Sequence, residues 1–321
     1  MPDNDRKTIS QNVMFVLILI LLSGLPVLSV RAESVTPAST EIPGIRYLIT
    51  MKESPVRIAP SQNADSFAIL KKDVILTSTA VTNDGWYHIT FCGINGYING
   101  ELVTFYAGGS EQIPKASLNL DDSEFVFSAL GDSITYGEKV SSQEKVYASL
   151  LGTMLGAEKV YNYGLSGSAV AGNHPLRFVD RFRSMAPDAD LILVFGGTND
   201  FGFHTPLGQM GDITADTFYG GLNLMMCEMM QRYPDAEIVF LTPLRRLRDT
   251  KPNKTGSVLG DYAQAIREMA AFYDIPVIDL YSAQEVYFLA DRTRYIKDGI
   301  HPNDAGQEIL ARYIYQNLVI Q

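Results

Sequence analysis

From Phe125 to the end, short and largely apolar runs alternate with longer amphipathic ones, and this alternation limits the fold more than any other feature of the chain. Phe125 to Leu130, Lys159 to Tyr163, Leu191 to Phe195, Glu237 to Leu241 and Pro276 to Leu280 have strand length. Helix-like stretches stand between them, among them Phe218 to Arg232 and Val258 to Phe272, and Asn303 to Leu318 reads as a closing helix. Apolar strands are buried on both faces, and helical crossovers between them make the sheet parallel. The pattern predicts an α/β sandwich over residues 124–321.

The preceding segment has a different texture. Between residues 45 and 106, Val74-Ile75-Leu76, Trp86 to Phe91 and Tyr97-Ile98 are strand-like, and Asn83-Asp84-Gly85, Gly93 and Asn95-Gly96 are turn signals. No helical period appears there, so a small all-β unit is expected, in the form of a compact barrel. Residues 33–44, rich in Ser, Thr and Pro, read as a linker, and residues 107–123, with Gly108-Gly109-Ser110 and Pro114, as a second linker or wrap-around segment. At the N-terminus, Arg6 and Lys7 precede the apolar run Val13 to Leu22, and Val30-Arg31-Ala32 offers small residues where a signal peptidase reads. Residues 1–32 are expected to be a signal peptide; the alternative is a retained membrane anchor, which alone would bring the chain to a membrane. Either reading puts the body of the protein outside the cytoplasm, secreted or associated with the cell wall.

The residues of the β unit resemble those of a bacterial SH3-like domain. Val56-Arg57-Ile58-Ala59-Pro60-Ser61, Leu70-Lys71-Lys72-Asp73, Gly85-Trp86-Tyr87 and Gly96-Tyr97-Ile98 follow in the expected order. The resemblance implies binding to peptidoglycan. A folded spacer, with Trp86 filling its core, stays open beside it.

Acidic residues outnumber basic ones by 36 to 26, a net charge of -10. That argues against a nucleic-acid partner, because such binding begins with phosphate neutralisation by Lys and Arg. The two cysteines, Cys92 and Cys227, fall in different expected domains and read as small buried hydrophobes, not as a disulfide.

Four short motifs sit just after a strand or before the last helix, and ligands of open α/β sheets bind at the carboxyl ends of the strands. Gly131-Asp132-Ser133 follows the first strand, so Ser133 can face the crevice. Alone, it could equally cap a helix. The motif lacks the Gly-x-Ser-x-Gly spacing of the α/β-hydrolase elbow. Asp298-Gly299-Ile300-His301 precedes the last helix. A hydroxyl is a poor nucleophile without a base, and an imidazole, with an unperturbed pKa of about 6.5, can take and return its proton. A carboxylate three residues before His301 can fix its tautomer and stabilise the imidazolium. Asn162 to Gly167 and Gly196 to Asp200 supply what an ester's developing oxyanion needs. The Ser133 and Gly167 N–H groups and the Asn199 amide are the candidate donors.

Together the motifs resemble the four blocks of SGNH (GDSL-like) hydrolases, over about Glu124 to Gln321. Ser133 stands in the first block, Gly167 in the second, Asn199 in the third, and Asp298 with His301 in the last. Ile134 replaces the leucine of the family name, a near-isosteric change. The resemblance implies a flavodoxin-like three-layer α/β/α sandwich with strand order 2-1-3-4-5. It implies a serine ester hydrolase with catalytic Ser133, Asp298 and His301, an oxyanion hole of Ser133, Gly167 and Asn199, and no cofactor.

No His/Cys cluster with metal-ligand spacing appears, so no metal is expected. Asp132 and Asp200 read as hydrogen-bonding supports of their loops. His174 and His204 are expected on loops bordering the crevice, and His88 on a strand of the β unit. Phe201, Phe203 and Met210 follow Asn199 and could line a small acyl pocket or pack the loop. Domain company suggests O-acetyl groups of a cell-wall or dietary glycan as substrate, an analogy only. A lipase or thioesterase acting on longer acyl chains is the alternative enzyme, and a non-catalytic wall-binding protein the alternative of another class.

Overall fold

The computed structural model describes residues 41–72, 74–91, 94–106, 116, 118, 124–284, 286 and 294–319. The expected signal segment, Cys92 and most of the second linker lie outside them. The described residues belong to one compact unit, Ser39–Gln321.

The N-terminal part is a seven-stranded antiparallel sheet. Its strands are β1 (Glu41–Thr50), β2 (Ser54–Arg57), β3 (Ser66–Leu70), β4 (Ile75–Thr82), β5 (Trp86–Phe91), β6 (Ile94–Asn99) and β7 (Val103–Phe105), in the order β3-β2-β6-β5-β4-β1-β7. This is the small β domain the alternating texture predicts. Its first strand already begins at Glu41, ahead of the expected domain start at 45, because Glu41 to Pro43 pair with the end of β4. The turn at Asn83 to Gly85 forms as read: the Gly85 N–H donates to Thr82 O (3.0 Å). Asn95-Gly96 does not make a turn. Gly96 lies inside β6 opposite Ile89. A Cβ there would stand 2.7 Å from Phe67 Cζ and Val56 Cγ1, so this glycine marks a close approach of packed side chains. Trp86 is buried, which is the core-filling role.

The larger part is a parallel sheet of β8 (Val126–Gly131), β9 (Lys159–Gly164), β10 (Leu191–Phe195), β11 (Glu237–Leu241) and β12 (Val277–Ile278). Their order, β12-β11-β10-β8-β9, is the doubly wound 2-1-3-4-5 order read from the opposite edge. The main helices are α1 (Ser133–Tyr136), α2 (Tyr147–Leu155), α3 (Phe178–Arg181), α4 (Thr198–Phe203), α5 (Phe218–Arg232), α6 (Leu259–Tyr273) and α7 (Asp304–Val319). Only Val277 and Ile278 of the expected last strand join the ladder.

The strand period of two divides the core between the two faces. Ile192, Val194, Ile238 and Phe240 join α5 and α6 in one cluster. Leu191, Leu193, Phe195, Val239 and Leu241 join α2 and α7 in the other. This three-layer sandwich is the expected fold, and it brings the carboxyl ends of β8, β9 and β10 side by side.

The two parts are packed together, not merely joined by a linker. Ile75 belongs to the core cluster of α5 and α6, with Tyr47, Ile49 and Tyr106 against it. The Tyr106 hydroxyl donates to Phe272 O (2.6 Å), and the Tyr47 ring lies 4.2 Å from that of Phe272. The Cys227 thiol donates to Ile75 O (3.4 Å).

Candidate active site

The strand β8 ends at Gly131, and Asp132 then caps the single turn of α1, its carboxylate accepting the Ile134 N–H (2.9 Å). Ser133 is therefore the first residue of a helix, where a backbone N–H has no intrahelical acceptor and points outward. Its side chain faces the last loop of the fold. His301 Nε2 lies 2.9 Å from Ser133 Oγ, and His301 Nδ1 lies 2.7 Å from Asp298 Oδ2. The other oxygen of Asp298 accepts the N–H groups of Ile300 (3.0 Å) and His301 (2.8 Å). One carboxylate thus folds the turn and orients the ring that stands in it. Burial pushes the Asp298 carboxyl up, but the N–H groups of His301 and Ile300 and the imidazole outweigh it and hold it below the ordinary carboxylate range.

The loop that carries Gly167 is tied to the end of β8, where the Leu165 N–H donates to Gly131 O (3.1 Å). Gly167 has φ +76, a left-handed conformation that L side chains rarely adopt, and nothing lies within 4 Å of where a Cβ would be. Asn199 is the second residue of α4, and its Nδ2 donates to Ser168 O (2.9 Å). That bond uses one of the two amide N–H groups and fixes the plane in which the other points. Of the five residues read from the sequence, Ser133, Asp298 and His301 are hydrogen-bonded in line, and Gly167 and Asn199 lie on two loops joined by the Asn199–Ser168 bond.

Beneath this line is a buried polar frame. Asp200 accepts the N–H groups of Val170 (2.9 Å) and Ala171 (3.0 Å), which ties the Asn199 loop to the Gly167 loop. Burial pushes both Asp132 and Asp200 up to about 7; for Asp132 the Ile134 N–H and Arg246 oppose the rise and the charge of Asp200 adds to it. Neither touches Ser133 Oγ or His301, which agrees with a supporting position. The frame also includes Arg181, absent from the sequence reading. Its guanidinium donates to Ser168 Oγ (2.8 Å), Gly131 O (3.4 Å) and Tyr163 O. The Ser166 hydroxyl adds a bond to Glu138 Oε1 (2.9 Å). A cation from a helix that carries no motif cannot be assigned to this frame from spacing alone.

The remaining candidates divide. His174 stacks on Phe203, with ring centroids 4.5 Å apart and planes 11° apart. His204 ends α4 in a left-handed conformation, and its Nδ1 accepts the Lys254 N–H (3.4 Å). Both are loop positions as expected. His88 lies in the β domain, stacked on Tyr97 and 3.6 Å from Glu41. Phe203 and Met210 are exposed, but Phe201 is buried and packs edge-on to Tyr262. Phe201 therefore joins the core: on a six-residue helix one side must face the sheet.

Residues 129–309 match the model of the GDSL-like Lipase/Acylhydrolase family. A GDSL lipase of Mycobacterium tuberculosis is 31% identical over 196 residues, covering 57% of this chain and 76% of that protein. A solved structure 32% identical to the chain superposes with a TM-score of 0.58, covering 62% of this chain and 97% of its own. The crystal structure of a protein from Lactobacillus plantarum, 31% identical, has a TM-score of 0.54 over 60% of this chain and 95% of its own.

Proposed function

The chain belongs to the GDSL-like lipase/acylhydrolase family and is a serine ester hydrolase, and on that premise we propose that it removes short acyl groups, acetyl above all, from an extracytoplasmic glycan through an acyl-enzyme on Ser133. The observation that carries the reading is the line Ser133–His301–Asp298, with separations of 2.9 and 2.7 Å. Ser133 Oγ attacks the ester carbonyl carbon while His301 Nε2 takes its proton. Asp298 holds the ring in the tautomer that leaves Nε2 free to accept. The carbonyl oxygen becomes an oxyanion and meets the Ser133 and Gly167 N–H groups and the free N–H of Asn199. His301 then gives its proton to the departing alcohol, and water repeats the sequence on the acyl-enzyme.

Asn199→Ala is expected to lower kcat by about 100- to 1,000-fold, the range for losing one oxyanion donor. Steady-state kinetics on p-nitrophenyl acetate check it. A loss below about fivefold would assign the amide to loop structure alone.

A short acyl group is favoured by the side chains that follow Asn199. A long chain needs an apolar slot, and Phe201 is turned into the core while Phe203 and Met210 stand open to solvent. Chain length is tested with acetyl, butyryl and octanoyl p-nitrophenyl esters. We expect kcat/KM to fall along that series by about tenfold or more, one missing or extra methylene being worth roughly 10-fold upward in a fitted pocket. A preference for octanoyl points instead to the lipase or thioesterase reading, which the name of the Mycobacterium relative favours. Export through residues 1–32, and peptidoglycan binding by the β domain, belong to the same proposal. Sedimentation with purified peptidoglycan, with and without residues 41–105, tests the latter.

A further inference from the structure

The segment Leu244–Asp249 follows β11 at the crevice end of the sheet and belongs to none of the four motifs. Two consecutive residues of it hold two different parts of the site. Arg246 Nη1 donates to Thr198 O (3.1 Å) and Thr198 Oγ1 (3.2 Å), at the residue directly before Asn199. The N–H of Leu247 donates to Gly299 O (2.8 Å), inside the turn between Asp298 and His301. The segment therefore spans from the oxyanion helix to the loop of the base.

Arg246 is an unusual occupant of such a place. Its Nε is buried without a hydrogen-bond partner among the described residues. A buried unpaired N–H is unfavourable, and such groups in folded proteins call for a reason. The carboxylates that act on its charge come from three directions: Asp132 from the turn before Ser133, Asp298 from the closing loop, and Asp249 from its own segment. Arg245 beside it is paired with Asp249 (2.9 Å). Its guanidinium also lies 5.6 Å from the Phe201 ring on α4. Backbone carbonyl, hydroxyl and ring together fix the first turn of α4, and with it the direction of the Asn199 amide.

We propose that Arg246 is a positioning residue for ester hydrolysis, holding Asn199 in register with Ser133 and His301. The inference rests on the reading of Asn199 as an oxyanion donor and His301 as base. Its consequence is specific. A misplaced donor weakens the transition state and not the bound ester, so the loss falls on kcat and leaves KM in place. A lysine keeps the charge but not the planar fork, so it replaces Arg246 only in part.

The test uses the full chain, p-nitrophenyl acetate, and the variants Arg246→Met, Arg246→Ala and Arg246→Lys beside Ser133→Ala. We expect kcat of the Met and Ala variants to fall by about 10- to 100-fold, up to the lower bound for losing a whole oxyanion donor, with KM changed less than about threefold. Arg246→Lys should fall between them and wild type, and millimolar guanidinium ion should raise kcat of Arg246→Ala but not of wild type. Wild-type kcat in the Met and Ala variants, or a loss confined to KM, overturns the proposal while Ser133→Ala remains inactive. A Ser133→Ala protein with wild-type turnover overturns the catalytic reading itself. Should the Met and Ala variants fail to fold by circular dichroism, the decision rests on Arg246→Lys: unaltered kcat there also overturns the positioning role.

Discussion

Ser133→Ala is expected to lower kcat on p-nitrophenyl acetate by on the order of 10^6-fold, the scale seen when a triad serine is removed. The substitution deletes one oxygen and adds no bulk at a side chain that is almost fully buried. It removes the bond to His301 Nε2, but the bonds of Asp298 to its own turn do not involve Ser133. The fold is therefore expected to survive with an unchanged circular dichroism spectrum. The donors and the crevice remain, so some residual rate above that in water is expected. A serine-directed fluorophosphonate should label wild type and not the variant. Labelling that persists in Ser133→Ala would place the nucleophile elsewhere.

Asp298→Asn is the second large effect, with an expected loss of kcat of about 10^4-fold. The two side chains have nearly the same shape, so the argument is about a proton. The carboxylate accepts from His301 Nδ1 at 2.7 Å, which keeps the ring proton on that nitrogen. An asparagine oxygen can still accept the N–H groups of Ile300 and His301, and its amide NH2 then faces Nδ1. Nδ1 must become the acceptor, the ring proton moves to Nε2, and Nε2 no longer takes the proton of Ser133. The pH dependence follows from the same bonds. The Asp298 carboxyl is held below its ordinary range, so it is ionised throughout the interval in which an imidazole titrates. Protonation of Asp298 therefore does not set the acid limb of kcat/KM in that interval. In Asp298→Asn the loss should persist on the alkaline plateau. A loss confined to low pH would overturn the tautomer argument for Asp298.

The same carboxylate also links site and stability. A folded-state carboxyl held below its unfolded value stabilises the fold above the unfolded value, and that contribution is lost as pH falls through the folded one. Asp298 is partly open to solvent, so screening reduces its weight in stability relative to its weight in catalysis.

The particular elements show what a sequence exposes and what it hides. The α5 helix and the strands β10 and β11 run over the residues that their apolar periods mark, because the period of a buried face is written in neighbouring residues. Strand β12 shrank to Val277 and Ile278, since an edge strand is set by its neighbour and not by its own hydropathy. Asn95-Gly96 looks like a turn and is a strand, because the reason for Gly96 is the Phe67 and Val56 side chains, distant in sequence. Phe201 and Phe203 are alike in composition, yet one is core and the other surface, a choice made by the placement of α4 on the sheet.

By itself the sequence determined the parallel sandwich and the five chemically apt residues, for both are expressed in local patterns: a strand period, a turn, a carboxylate three residues from an imidazole. Only the tertiary structure decided which atoms meet. It set Ser133 Oγ against His301 Nε2 across 168 positions of chain, committed one Asn199 N–H to Ser168, seated Arg181 beneath the site and drew Arg246 to Thr198. Hydrogen bonds of this kind join residues from separate elements, and their partners are chosen by the packing of the strands and helices that carry them.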